Sequence, residues 1–88
     1  MIVCFTEIGW EDYIYWQKKD KKILKRINEL IKDINRNPDD KHGLGKPEIL
    51  KGHLSGYLSR RINEEHRLVY KLDKDKIIIV QCRFHYNL

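Results

Sequence analysis

The feature that most constrains the fold is an amphipathic segment between residues 21 and 36, which precedes three short stretches of strand-like sequence. Asp20 is placed to cap the start of a helix, and Asn37-Pro38 is placed to end it. A helix with one apolar face must bury that face against another layer. The residues that recur at helical spacing are Ile23, Leu24, Ile27, Leu30, Ile31 and Ile34.

The three strand-like stretches predict the second layer. Residues 57–62 and 66–72 flank a turn, and residues 77–84 follow a second turn at 73–76. Near the start of the chain, residues 2–6 have the composition of a further strand. The order β-α-α-β-β-β predicts an α+β fold, in which two helices pack on one face of a mainly antiparallel, four-stranded sheet.

The first helix is expected to begin after Thr6, which is a weak N-cap candidate. Its aromatic residues divide into two groups by helical spacing. Trp10, Tyr13 and Ile14 form an apolar stripe that is typical of core packing. Trp16 lies off that stripe, so we expect it to be available to a partner or a dimer contact.

Composition excludes several classes of protein. The chain has 88 residues, enough for a single domain spanning 1–88. Apolar residues make up 41% of it and charged residues 35%, which is too apolar for disorder and too charged for a membrane protein. Since no signal peptide is recognisable at the start, we expect a cytoplasmic protein that does not associate with membranes.

The two cysteines do not indicate a disulfide framework or a metal site. Cys4 and Cys82 are far apart and neither belongs to a Cys-x-x-Cys pair. Cys82 and His85 have the spacing of half a zinc site, but the sequence supplies no second half. We therefore assign no metal and no cofactor, and expect both cysteines to be buried on strands.

The positive charge favours a polyanionic partner. The formal net charge is +5, and most of the excess belongs to the second half of the chain. Strand alternation predicts that Arg61, Arg67, Arg83 and His85 share the sheet face opposite the helices. Arginine binds phosphate bidentately, so this face predicts contact with RNA or DNA, although an ordinary solvated face fits the same pattern. Arg60 falls on the apolar side of its strand, without an evident reason.

Two further features leave alternatives open. The lysines and arginines on the exposed side of the second helix fit a solvated face or a phosphate-facing surface. Residues 37–47 form a loop with two prolines and two glycines, and this loop is long enough to act as a mobile lid. Pro47 is placed to start a short turn that carries Glu48 and Lys51 on one side.

Several segments together resemble the YoeB/Txe toxins, which belong to the RelE superfamily of toxin–antitoxin systems. The resemblance runs through essentially the whole chain and in the same order. The segments that carry it are WEDYIYW at 10–16, GKPEILK at 45–51, LSGYLSRRI at 54–62, EEHRLVY at 64–70 and CRFHY at 82–86.

The resemblance implies a RelE-like fold and an activity. Members of that family are endoribonucleases that cut mRNA in the A site of the 30S ribosomal subunit without a metal, and so inhibit translation. A cognate antitoxin restrains them, and homodimers are expected. Matched to this chain, the general base is Glu48, the general acid is His85 and the arginine that stabilises the transition state is Arg67.

The same matching implies residues that contact phosphate. These are Lys51 and Arg61, together with the C-terminal tyrosine at Tyr86, and strand alternation adds Arg83. Two other readings remain, a non-enzymatic toxin of the same fold and a plain RNA-binding protein. The presence of both Glu48 and His85 argues against the first, because the gyrase-targeting members of the superfamily lack that pair.

Overall fold

The structure is a computed structural model of the chain, and it describes residues 1–85. It has the two-layer α+β architecture that the sequence predicts, with two helices on one face of a sheet. The sheet contains five strands, however, and not four. The elements are β1 Ile2–Phe5, α1 Glu7–Lys19, α2 Lys21–Arg36, β2 Glu48–Ile49, a 3-10 turn at Gly52–Leu54, β3 Leu58–Arg61, β4 Arg67–Asp73 and β5 Lys76–Gln81.

The sheet has the order β1-β5-β4-β3-β2, in which β1 runs parallel to β5 and the other neighbours are antiparallel. The additional strand is β2, whose Glu48 and Ile49 pair with Ser59 and Leu58 of β3. A strand of two residues is too short to show alternation. The sequence therefore indicated a turn after Pro47, whereas the pairing with β3 makes this segment extended.

Both helix starts agree with the sequence. The Thr6 hydroxyl accepts a hydrogen bond from the Gly9 N–H at 3.2 Å and caps α1. One carboxylate oxygen of Asp20 accepts from the N–H groups of Lys22 and Ile23 at 3.0 and 3.2 Å, and caps α2. Because Asp20 also ends α1, one residue separates the two helices and the chain must turn sharply there.

The buried face of α1 differs from the predicted stripe. Trp16 is 5% exposed and belongs to the core, whereas Trp10 is 48% exposed. A Cβ at Gly9 would overlap the backbone carbonyl of Ile79, so this glycine lets the helix lie directly on β5. Gly9 and Trp16 are seven residues apart and share one helix face. The aromatic stripe was misleading because a glycine, and not a large apolar residue, marks the contact with the sheet.

The path of β5 corrects a second prediction. Ile77 and Ile79 are fully buried against the helices, although alternation placed them on the opposite face. Tyr70 pairs with Ile79 while the adjacent Val69 pairs with Gln81, so β5 carries one extra residue, a β-bulge at Val80. The bulge shifts the alternation by one residue, which explains why Gln81 faces away from the helices although Ile77 and Ile79 do not. The strand also ends at Gln81, and not at Phe84.

Arg60 is completely buried on the helix side of β3, and the structure supplies the reason. Its Nη1 lies 2.6 Å from Asp33 Oδ2 of α2 and 3.1 Å from the Leu44 carbonyl oxygen, and its Nε donates to the Tyr70 hydroxyl at 3.1 Å. The same Asp33 oxygen accepts from the Leu44 N–H at 3.0 Å. The arginine therefore joins α2, β3, β4 and the loop after α2.

The second half of the 37–47 loop is anchored to the sheet. In addition to the Leu44 contacts, the Arg61 N–H donates to the Gly45 carbonyl at 2.6 Å. Gly45 has a φ of +81° and packs closely on Leu30 and on the backbone of β3, so a side chain there would meet both strain and overlap. These contacts fix the segment that leads into β2, whereas the lid interpretation required it to be loose.

The core lies between the helices and the sheet. Its fully buried apolar members come from α2, β4, β5 and Cys82, the residue after β5. Neither helix among residues 1–85 is long and apolar enough to cross a membrane. The buried core residues are Trp16, Ile27, Leu30, Ile34, Ile62, Leu68, Tyr70, Ile77, Ile79 and Cys82.

Candidate active site

Glu48, Arg61 and Arg67 lie on the open face, the side of the sheet turned away from the helices. Register places Glu48 beside Ser59, Ser59 beside Val69, and Val69 beside Gln81, so these four form a row across β2, β3, β4 and β5. Neighbouring strands lie about 4.8 Å apart, so Glu48 is about 10 Å from the β4 backbone. Long side chains from both strands can therefore reach a single phosphate between them.

Arg61 and Arg67 form the next row of the open face. They are direct cross-strand partners on β3 and β4, as strand alternation predicts. Arg61 is exposed. Arg67 is only 7% exposed, and its Nη1 donates to the carbonyl oxygens of Asn63 at 2.7 Å and His66 at 3.1 Å. The guanidinium of Arg67 is thus held in place by the turn between β3 and β4.

Glu48 and Lys51 lie at the β2 edge of this face. Both side chains are exposed, and both line a shallow depression of about 360 Å³. Lys51 directly precedes the 3-10 turn, where its carbonyl accepts from the Leu54 N–H at 3.3 Å. The structure thus brings a carboxylate and an ammonium group to one side, as the sequence predicts, but with an extended strand and not a helical turn.

A basic depression adjoins Arg61 at the end of β3. It has a volume of about 500 Å³, and its charged lining consists of Arg26, Lys46, Arg61 and Glu64, three cations and one carboxylate. Lys46 has a φ of +53°, a conformation that is uncommon for a residue with a side chain. Sequence reasoning gave no role to Lys46; its position directly after a conformationally special glycine was the available signal.

Arg83 and His85 lie beyond the end of β5, so strand alternation does not apply to them. The Arg83 guanidinium stacks over the Tyr15 ring of α1 at 3.7 Å, and not beside Arg61 and Arg67. The prediction that it shares the open face through its strand is therefore wrong. His85 is exposed. Its neighbour Phe84 accepts from the Arg67 N–H at 2.9 Å, which places the His85 backbone next to the start of β4.

Tyr86 lies outside the described residues. The other six candidates are described, and the structure brings Glu48 and Lys51 together at one edge, with Arg61 and Arg67 paired in the centre. His85 follows Phe84, whose carbonyl accepts a hydrogen bond from the N–H of Arg67, the first residue of β4. Arg83 is the one candidate that packs against the helix layer.

The chain segment that carries His85 is fixed by α1. The Cys82 N–H donates to Asp12 Oδ2 at 3.1 Å, and its carbonyl accepts from Trp16 Nε1 at 2.8 Å. Burial raises the pKa of the Asp12 carboxyl above its usual value, although the Cys82 N–H and then the Arg83 charge oppose that rise. Burial also raises the pKa of the Cys82 thiol strongly, so this thiol stays protonated.

Within residues 1–85, no three His, Cys, Asp or Glu side chains lie close enough together to hold a metal ion. The chemistry that the described side chains offer is that of a carboxylate, an imidazole and cations. A carboxylate and an imidazole can act as base and acid, and guanidinium groups can stabilise negative charge on a phosphate.

The chain also matches a known protein family. Residues 5–86 match the family described as the YoeB-like toxin of bacterial type II toxin–antitoxin systems. The chain belongs to this family. A Synechocystis sp. relative, "Toxin YoeB", is 59% identical over 99% of this chain and 99% of its own length. The resemblance that the sequence motifs carried is therefore confirmed.

Solved structures of family members have the same fold. A YoeB/ParE toxin from Agrobacterium tumefaciens superposes with a TM-score of 0.92 at 45% identity, covering 98% of this chain and 100% of that one. A Staphylococcus aureus YoeB, solved as a heterotetrameric complex with YefM antitoxin and as a dimer, gives a TM-score of 0.89 at 52% identity, with 98% of both chains covered.

Proposed function

We propose that this toxin is a ribosome-dependent mRNA endoribonuclease that cuts mRNA in the A site of the 30S subunit by metal-free transesterification. The observation that carries the proposal is the arrangement on the open face. Glu48 lies at one edge, the Arg61–Arg67 pair lies in the centre, and the segment with His85 lies beside Arg67. These are the groups that the family resemblance assigns to cleavage.

In this mechanism Glu48 accepts the proton of a ribose 2′-hydroxyl, and the resulting oxygen attacks the adjacent phosphorus. The bond from phosphorus to the 5′-oxygen breaks, and His85 protonates that leaving oxygen. The products are a 2′,3′-cyclic phosphate and a free 5′-hydroxyl, because the attacking oxygen belongs to the RNA. General acid and base steps contribute roughly 10²–10⁴-fold each.

The positively charged side chains have separate roles in this mechanism. Arg67, held by the turn carbonyls, is preorganised to stabilise the charge that develops on the phosphate oxygens. Lys51 and Arg61 bind the RNA phosphate groups on either side of the one that reacts. The basic depression at Arg26 and Lys46 extends this phosphate-binding surface towards α2. Arg83 and Tyr86 act as further RNA contacts from the C-terminal segment.

Ribosome dependence follows from the openness of the site. Glu48, Lys51, Arg61 and His85 are all exposed, so the protein by itself excludes little water from the reacting groups. A substrate held by the ribosome would arrive already oriented, which removes much of the entropy cost of reaction. We expect cleavage of free mRNA to be slow compared with cleavage of ribosome-bound mRNA.

The partners of the toxin follow from its relatives. Since the S. aureus relative was solved with an antitoxin and as a dimer, we propose a cognate antitoxin and a homodimer for this chain as well. An antitoxin with an acidic segment would complement the basic open face.

Primer extension on mRNA in a reconstituted translating ribosome tests the proposal. We expect wild-type protein to give a new 5′ end within the A-site codon, and Glu48→Ala and His85→Gln each to reduce its yield by at least about 100-fold. Glu29→Ala and His42→Gln remove an exposed carboxylate and an exposed imidazole elsewhere, and they should cut normally.

Two results would contradict the proposal. If folded wild-type protein inhibits growth but leaves mRNA intact, the toxin acts without cleavage. If it binds RNA without cutting it and the His85→Gln variant binds equally, the open face is an RNA-binding surface only.

A further inference from the structure

The segment that carries His85 has left the sheet, so its backbone needs partners other than a neighbouring strand. The structure supplies them mostly from side chains. Asp12 and Trp16 hold the backbone of Cys82, and Gln81 and His66 hold the backbone of the next three residues. His85, the proposed general acid, is therefore positioned mainly by side chains, with one backbone hydrogen bond from the Arg67 N–H at the start of β4 to the Phe84 carbonyl.

Gln81 is 2% exposed and lies at the end of β5. Its Nε2 donates to the carbonyl oxygens of Arg83 at 2.7 Å and Phe84 at 3.3 Å, and also to that of His85. Because all three partners are carbonyl oxygens, the amide nitrogen and not the amide oxygen must face them. A single side chain thus contacts three consecutive peptide groups.

His66, the residue directly before β4, holds the same segment. It is 7% exposed, and its Nδ1 accepts a hydrogen bond from the Phe84 N–H at 2.8 Å. An imidazole nitrogen that accepts carries no proton, so the proton of neutral His66 is on Nε2. The Trp16 ring packs against the imidazole at an interplanar angle of 71°, with 4.8 Å between the ring centroids.

Between these contacts, Phe84 adopts a φ of +67°, in the left-handed region that residues with side chains rarely occupy. The phenyl ring is 45% exposed, so burial of the ring does not explain the conformation. Hydrogen bonds on both sides of the Phe84 Cα do explain it, because His66 binds the Phe84 N–H while Gln81 and the Arg67 N–H bind its carbonyl.

We propose that Gln81 and His66 are positioning residues for cleavage, which together hold the left-handed turn at Phe84 and so set the place of His85. The inference rests on the proposed function, since it assumes that His85 is the general acid. Neither residue touches the RNA in this role. Their removal should lower the rate of the chemical step far more than it lowers RNA affinity.

Single-turnover cleavage of ribosome-bound mRNA by Gln81→Leu is the first test. Leucine keeps the volume of the side chain and removes the donor. We expect the rate to fall about 10- to 100-fold, because a small displacement of a catalytic group has an effect of this order. The affinity for an uncleavable 2′-O-methyl RNA should stay within about twofold of wild type. A global loss of structure would lower that affinity as well, so this measurement separates the two causes.

A second substitution gives a rescue. Glycine adopts a positive φ without strain, so Phe84→Gly added to Gln81→Leu should restore the turn and recover part of the lost rate. An unchanged rate in Gln81→Leu would overturn the role of Gln81. No recovery in the double variant, provided that it is folded, would show that the turn at Phe84 is not what Gln81 maintains.

A matched pair tests His66. In His66→Asn, the amide oxygen occupies nearly the place of Nδ1 and can accept from the Phe84 N–H, whereas His66→Leu cannot. We expect the asparagine variant to keep most of the cleavage rate, and the leucine variant to lose at least about tenfold. Equal rates in the two variants would rule out the hydrogen bond as the cause.

Hydrogen exchange separates this inference from the proposed function. The Phe84 amide should exchange slowly in wild type and in His66→Asn, but rapidly in His66→Leu, whether or not the protein cuts RNA. If wild type does not cut and the exchange pattern holds, the proposed function fails and the turn is supported. If wild type cuts and the Phe84 amide exchanges rapidly, the positioning inference is wrong.

Discussion

Arg60 and Arg61 are adjacent in the chain, but they lie on opposite sides of the sheet. Arg60 is completely buried against Asp33 and Tyr70, whereas Arg61 is exposed on the open face beside Arg67. The residue type is the same, and strand alternation alone separates the two environments. The difference shows that positive charge in this chain has two uses, one in folding and one on the proposed RNA surface.

Arg67 combines both environments. It lies on the open face like Arg61, but it is nearly buried like Arg60 and holds the carbonyl oxygens of the β3–β4 turn. The depth of burial therefore does not by itself distinguish a structural arginine from a candidate catalytic one. What differs is the partner, because a carboxylate neutralises Arg60 and backbone carbonyls hold Arg67.

The largest expected effect comes from Arg67, which contributes both to folding and to the proposed RNA surface. Arg67→Ala should lower the rate of ribosome-dependent cleavage at least about 100-fold, because it removes a preorganised charge from the phosphate. It should also lower the free energy of unfolding by about 2 kcal/mol, since the turn carbonyls lose their donor. Single-turnover kinetics and urea denaturation measure the two effects. A loss of stability without a loss of cleavage would show that Arg67, like Arg60, is a structural arginine only.

Asp33→Ala tests the structural arginine. We expect the free energy of unfolding to fall by about 3 kcal/mol, because the buried Arg60 charge loses its carboxylate. Arg36→Ala is the matched control, since Arg36 contacts the same carboxylate at 3.7 Å but is largely exposed. The Arg36→Ala change should lower the free energy of unfolding by less than about 0.5 kcal/mol. Equal urea midpoints for Asp33→Ala and wild type would contradict the role given to Arg60.

Arg61→Gln tests the exposed arginine and should have a smaller effect. Stability should change by less than about 0.5 kcal/mol. Affinity for an uncleavable single-stranded RNA should fall, and the slope of log K against log salt should decrease in magnitude by about 0.7. Fluorescence anisotropy at several salt concentrations measures both. Lys74→Gln, an equal loss of charge in the exposed β4–β5 turn, should leave the slope unchanged.

The smallest expected effect concerns how the stability of the protein decreases at acid pH. The Leu44 N–H and then the Arg60 guanidinium hold the pKa of the Asp33 carboxyl below its usual value of 3.8. This stabilisation is fully present above that value, and is lost as pH falls through the lower pKa of the folded state. Asp33→Asn should therefore lose less stability than wild type below pH 3.8. Parallel curves of urea midpoint against pH would show that Asp33 does not contribute.

Local sequence signals predicted the helices well. The caps at Thr6 and Asp20 and the apolar face of α2 involve neighbours within one or two turns, so the chain carries them locally. The alternation in β3 and β4 likewise placed Arg60, Arg61 and Arg67 correctly. Such patterns succeed because helical and extended geometry repeat over a few residues.

The errors occurred where distant groups override a local pattern. The bulge in β5 and the end of that strand at Gln81 depend on pairing with β4, and the two-residue β2 exists only through β3. The buried face of α1 depends on the close approach of Gly9 to Ile79. None of these contacts leaves a periodic signal in the sequence.

The sequence by itself determined the family, the two-layer architecture and the identity of the candidate chemical groups, because motifs and periodicity are properties of neighbours in the chain. Only the tertiary structure decided where those groups lie. It pairs Arg61 with Arg67, places Arg83 over Tyr15, and holds the His85 segment with side chains from α1, from β5 and from the residue before β4. These positions depend on hydrogen bonds between residues that are remote in the chain, which local preferences do not specify.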